Sequence, residues 1–291
     1  MDDTSEIPLR VTENRILAED WALVLVALRL SPFVRETRDG FVLSVPERER
    51  ERALAGLAAY DRENPQRRAE QDEPVFPVRL RSGTAVAGTL LIFFFMTTFW
   101  SPAVPWLERG SANADSILRG ELWRAVTALT LHADLVHALS NAVAAVVFLS
   151  VLYGILGVGL GSALVLVAGA GGNLANAVLQ GPAHASVGAS TAIFSAVAML
   201  GSLGMARLRR RKAGRRRSWL PAGAAFALLA MLGAGGPRVD VLAHLCGFLL
   251  GGTFGIVIAS VIRRPPPIGL QRAFGCAALA LLIGCWMFAL R

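Results

Sequence analysis

Charge and cysteine are both scarce in this 291-residue chain, and each shortage narrows what it can be. Charged residues make up 17% and hydrophobic ones 54%, which is too apolar for an ordinary soluble protein of this length. Several membrane spans are expected instead. The only cysteines, Cys246, Cys276 and Cys285, all fall inside apolar runs. That disfavours disulfides or a metal cluster and fits small buried hydrophobes. No H-E-x-x-H occurs, and His132 and His137 are five apart, a spacing that does not share one helix face. A zinc protease within the membrane is therefore poorly supported, and no cofactor or metal is implied. No signal-peptide pattern is evident, because many acidic residues precede the first apolar run.

What is present begins with a polar segment. Residues 1 to about 80 read as a small soluble module with a linker. Ile16–Leu30 is helical and mainly apolar but too short to span a bilayer, which takes about 20 residues. Phe33–Arg38 and Phe41–Val45 flank Asp39-Gly40, a strong hairpin signal. Pro46 opens a charged helix to about Asn64, with Ala53, Leu54, Leu57, Ala58 and Tyr60 on its apolar face. The order helix, strand, strand, helix predicts a compact α+β module, whose plainest role is a cytoplasmic accessory or regulatory domain. Asn64–Pro77, polar and proline-rich, reads as a linker.

Seven apolar runs follow, at about 84–104, 135–153, 157–179, 188–205, 219–236, 239–262 and 268–290. Leu107–Asp134, between the first two, is too polar to span and too amphipathic for a plain linker, so an interfacial structure is expected there. The net charge of +8 raises the question of nucleic acid, but Arg207–Arg217 alone holds eight Lys/Arg. A basic cytoplasmic loop explains the excess better, and no nucleic-acid partner is expected. Arg79 and Arg81 precede the first run, and Arg263-Arg264 follow the sixth. All three clusters share one side only if the N-terminus is cytoplasmic. The segments 107–134, 180–187 and Gly235–Asp240 then lie outside.

That topology starts the second, fourth and sixth spans at the outer face. His137 and Asn141, Ser190, and His244 then share a shallow depth. Polar groups there are costly unless they face the bundle interior or water, and they mark a functional site by default. A serine hydroxyl needs a base to become a nucleophile, and histidine is the usual one. Ser190 and His244 supply that pair. His137 and Asn141, four apart, project from one helix face toward a developing oxyanion. Phe194 shares a face with Ser190, where its ring would pack on the imidazole. Gly247, Gly251 and Gly255 form a stripe that admits a close neighbouring helix. Plainer roles remain open: Asn141 as inter-helix glue, the glycines as ordinary packing, His132 as an interfacial residue. His184 reads as a solvated loop residue, and Asp240 as the cap of the outer helix end rather than a third triad member.

Glu121-Leu122-Trp123-Arg124, then HADLVHALSN at His132–Asn141, then GASTAIF from Gly188, then Ala243-His244-Leu245-Cys246-Gly247 with Gly251 resemble the rhomboid family of intramembrane serine proteases. Order and spacing match across about 84–262. The resemblance implies an all-α polytopic membrane bundle with a six-helix core (81–264) and a seventh C-terminal span (265–291), behind the N-terminal domain (1–80). It implies Ser190 as nucleophile and His244 as general base, a dyad without aspartate. His137, Asn141 and the Ser190 backbone N–H would line the oxyanion hole. Trp123 and Arg124 would belong to a first loop set partly in the outer leaflet, and His132 would be structural. Substrates would be transmembrane proteins reached through the lipid bilayer of the cell membrane. A silent relative that binds transmembrane clients is the alternative, and a small transporter is disfavoured by the few ionisable groups in the spans. Thr191 departs from the family's usual glycine after the serine; its Cβ and hydroxyl could narrow the oxyanion site or change the backbone's freedom, and it reads as a tolerated variant.

Overall fold

A computed structural model describes residues 6–12, 14–37, 40–64, 77–211, 214–232, 239–262 and 264–291. Asp39, most of the 64–77 linker, Lys212, residues 233–238 of the outer segment and Arg263 lie outside the described residues. The chain divides into two compact units, Met1–Pro74 and Val75–Arg291.

In the first unit, β1 (Glu6–Thr12), α1 (Arg15–Ala27), β2 (Phe33–Thr37), β3 (Gly40–Pro46) and α2 (Arg50–Glu63) follow in order. The sheet is antiparallel with order β1-β3-β2. Asn14 caps α1 by accepting from the Ile16 and Leu17 amides, as a short side-chain carbonyl does at an N-cap. Trp21 and Leu25 of α1 pack with Leu43 and Val45 of β3 and with Ala53 and Leu57 of α2. The sequence reading missed β1. Pro8 weakens its strand signal, and the register shifts between Pro8 and Arg10, an irregularity an edge strand tolerates. Pro46 closes β3 rather than opening the helix, which starts at Arg50 after a 3₁₀ turn.

The second unit is the expected helical bundle. Its first helix, α3 (Leu80–Phe95), continues as a π turn to Trp100. Short pieces follow: α4 (Trp106–Gly110), β4 (Ala112–Asn113), α5 (Ala114–Leu118) and α6 (Arg124–Thr127). Then come α7 (Leu135–Leu156), α8 (Val158–Gln180), β5 (Ala185–Ser186), α9 (Ser190–Arg210), α10 (Arg215–Leu232), α11 (Val241–Val261) and α12 (Ile268–Ala289). Among the described residues, six helices (α3 with its π extension, α7, α8, α9, α11 and α12) are long and apolar enough to cross a membrane. The protein is a multi-pass membrane protein.

The fifth apolar run is the exception. Arg215, Arg216 and Arg217 occupy the first turn of α10, and only 18 residues are described as helical. Connectivity still carries α10 through the bundle. Helices α9 and α11 run parallel, because Ser195 lies against Gly251 and Met199 against Gly255. The chain leaves α9 at its arginine-rich end and must re-enter α11 at the opposite end. Antiparallel packing of α10 on α9 provides the return: Arg209 sits over Trp219, Gly204 against Pro221, and Gly201 against Ala225.

The central close contact is α9 on α11. A Cβ on Gly247 would collide with the Thr191 carbonyl, and one on Gly251 with the Ser195 backbone. Where the side chain is a hydrogen, backbones come together and dispersion contacts multiply. Ser202 Oγ donates to the Gly252 carbonyl at 3.0 Å, which adds a polar tie between the two helices.

Candidate active site

The five residues before Ser190 set where it enters α9. β5 pairs with β4, Ala185 opposite Asn113 and Ser186 opposite Ala112. The Gly188 amide donates to the Ala128 carbonyl at 2.9 Å. Gly188 itself has φ +129°, a region open to glycine and strained for other residues. The turn it makes delivers Ser190 as the first residue of α9, half-buried. A second reason for glycine is space: a Cβ there would sit 2.6 Å from His137 Nε2 and 3.6 Å from Ser190 Oγ. The gap left by the missing side chain is therefore bordered by both a ring nitrogen and the hydroxyl.

His244 occupies the first turn of α11, directly across the α9–α11 contact. Its Nε2 lies 2.7 Å from Ser190 Oγ, hydrogen-bond distance for a hydroxyl and an imidazole. The Phe194 ring covers the imidazole at a centroid distance of 4.6 Å, tilted by 40°. Phe194 and His244 are both buried. The glycine stripe makes this possible: without Gly247 and Gly251, α11 could not approach near enough for the imidazole to reach the serine.

The remaining expected residues separate into groups. His137 borders the Gly188 gap on α7, whose first turn is capped by Asp134 accepting the His137 amide at 2.9 Å. Asn141 is buried but donates one amide hydrogen back to the His137 carbonyl at 3.1 Å, leaving its second hydrogen for another acceptor. His132 stands behind, its ring edge-on to His137 at 5.2 Å. Burial, and the positive charge His137 would carry, hold His132 well below the ordinary histidine range, at about 4, against the opposing pull of the Thr130 carbonyl and Asp134. It is neutral near neutral pH.

Trp123 and Arg124 lie away from the dyad and organise the loop. Arg124 pairs with Glu121 and donates to the Glu108 carbonyl at 2.7 Å and the Ser111 carbonyl at 3.3 Å. Trp123 stacks on Phe288 of α12. Gly247 serves the helix contact described above.

Thr191 turns its side chain away from the gap. It is 3% exposed, and its methyl faces the notch between Gly172 of α8 and Gly247 of α11, where Cβ atoms would meet it at 2.7 and 2.8 Å. The side chain fills helix packing rather than narrowing the gap at Gly188.

His184 corrects an expectation. It is not a freely solvated loop residue: its Nε2 lies 2.6 Å from Asp240 Oδ2. Asp240 does cap α11, accepting the Ala243 amide at 3.0 Å, and it also accepts from Asn176 at 2.7 Å. These partners hold its carboxyl below the usual range although burial pushes the other way. No local sequence signal pairs residues 56 positions apart; the four-residue step from Asp240 to His244 was the one legible hint.

Among the described residues no cluster of histidine, cysteine and acidic side chains could hold a metal. The family model for the Rhomboid domain matches residues 119–261. No curated protein matches the chain. The matched span starts in the loop that α12 braces and ends with the helix bearing His244, covering α7 to α11 without a break; the chain belongs to the rhomboid family.

Proposed function

We propose that the chain is an intramembrane serine endopeptidase that cleaves transmembrane proteins in or beside a membrane helix. The observation that carries this reading is the 2.7 Å contact between His244 Nε2 and Ser190 Oγ beside a gap that His137 borders. In it, His244 takes the serine proton as Oγ attacks the peptide carbonyl, then returns it to the leaving amine. His137 Nε2, the free hydrogen of the Asn141 amide and the Ser190 backbone N–H stabilise the oxyanion. Asp240 does not complete a triad, since its carboxylate is engaged by the α11 amide, Asn176 and His184.

Both reacting residues sit at the ends of their helices opposite the arginine cluster. With that cluster and the start of α3 on the cytoplasmic side, the site opens near the outer surface, where water can reach it. A substrate helix would have to unwind locally, because a helical peptide bond hides its carbonyl carbon.

The test is cleavage of a single-span substrate by purified protein in lipid vesicles. Wild type is expected to cleave, and Ser190→Ala to lose cleavage while keeping its helical content and thermal midpoint. Undiminished cleavage by that variant would sink the mechanism. Failure of wild type both to cleave and to take a serine-reactive phosphonate on Ser190 would favour a client-binding role.

A further inference from the structure

We propose that His184 and Asp240 are a positioning pair for this reaction, a clasp that sets how His244 and Ser190 meet. The inference rests on the proteolytic reading above. Asp240 is bonded on both sides of the dyad. Through its N-cap bond to the Ala243 amide it fixes the first turn of α11, one residue before the imidazole. Through His184 it grips the 181–187 loop, which runs by way of β5 and Gly188 into Ser190. One carboxylate thus ties the segment before the nucleophile to the helix start that bears the base.

The rest of the loop is tied elsewhere. The His184 carbonyl accepts the Ala114 amide at 2.9 Å, and β5 is paired with β4. Those bonds hold the loop to the α4–α6 segment, not to α11. Among the described residues, the bonds that join this loop to α11 run through Asp240 and His184. Asn176 on α8 supplies a further donor to the carboxylate at 2.7 Å, so Asp240 stays seated while His184 is the contact that can be removed alone. The Asp240 and His184 side chains are 13% and 27% exposed, enough shielding for the pair to outweigh a fully solvated surface contact.

Neither residue touches a substrate in this account; both act through the geometry of the dyad. Misplacing reacting groups by about 1 Å costs up to about 100-fold in rate, so loosening one of several ties is expected to cost about tenfold. The variants are His184→Ala, which removes the contact, and His184→Gln, whose amide can still donate to the carboxylate. With a single-span substrate in vesicles, His184→Ala should lower kcat about tenfold and leave KM within about twofold. Phosphonate labelling of Ser190 should slow in proportion, and His184→Gln should restore most of both. Amide exchange at Ala243 and His244 should quicken in His184→Ala and return to the wild-type rate in His184→Gln.

Unchanged kcat in His184→Ala, a loss confined to KM, or a loss that His184→Gln does not restore would overturn the clasp. If wild type neither cleaves nor takes the label, the dyad reading fails by itself. Exchange then decides the clasp: faster exchange in His184→Ala supports it, and unchanged exchange at both amides overturns it.

Discussion

Ser190 gains its standing from its neighbours, and Gly188 is the one whose replacement is easiest to foresee. Gly188→Ala faces both a positive φ and a Cβ 2.6 Å from His137 Nε2. The backbone strain alone is on the order of 1–2 kcal/mol. Because the added methyl enters the gap between His137 and Ser190, activity should fall by more than that destabilisation explains. Comparing kcat with the thermal midpoint of the same variant checks this; a variant as active as wild type would refute the role given to the gap. On the proposed mechanism His137→Ala removes a single oxyanion donor and should lower kcat by about 10² to 10³ with little effect on KM. Equal losses in Ser190 labelling and cleavage would fit; a change in KM alone would not.

His132 makes a pH prediction. Its folded pKa is lowered to about 4 from an ordinary 6.5, so between those values the unfolded chain binds the extra proton. Stability therefore holds above about 6.5 and falls as the pH drops toward 4. Thermal unfolding in detergent should show that decline, and His132→Gln should flatten it. An equal decline in the variant would assign the effect to other groups.

Among the helices, the α9–α11 contact is the one on which the site depends. Gly251→Leu would drive a side chain into the Ser195 backbone. Overpacking of this kind costs about 1–3 kcal/mol or more, and here the relief available is separation of the two helices. Ser190 labelling should be lost at temperatures where the variant remains folded by circular dichroism. Retained labelling would mean that the helices accommodate the side chain without parting. Helix α12 braces the matched domain at both ends. Gln271 donates to the Leu156 carbonyl and accepts from the Leu160 amide at the α7–α8 turn. Trp286 donates to Thr130 Oγ1 at 3.1 Å and packs against Trp106 and Phe93.

For the molecule as a whole, the two units have separate apolar cores. The N-terminal unit has its own apolar cluster around Leu25, Leu43 and Leu57, so residues 1–74 expressed alone are expected to unfold cooperatively as a soluble domain. A broad, featureless thermal transition would count against that. Burial of Trp21, Leu25 and Leu43 in one cluster across α1 and β3 accounts for one face of the apolar α1, whose Ile16, Leu23 and Val26 are exposed.

Much of this was legible in the chain itself, for physical reasons that act locally. A run of some 20 apolar residues has nowhere stable to be but a membrane or a core, so seven apolar runs are read as spans, and among the described residues six of them are helices long and apolar enough to cross a membrane. Glycine at 188, 247 and 251, and serine and histidine at the heads of two such runs, marked the site because polar groups at helix ends in lipid need a reason. Long-range contacts were a different matter. That the Thr191 methyl turns into the Gly172–Gly247 notch depends on how three helices meet. That His184 finds Asp240 depends on where a loop lands after two strands pair. Composition and periodicity report on each segment's own partition between water and apolar surroundings. Which side chain faces which is set when the segments pack, and that packing brings Ser190 Oγ to 2.7 Å from His244 Nε2.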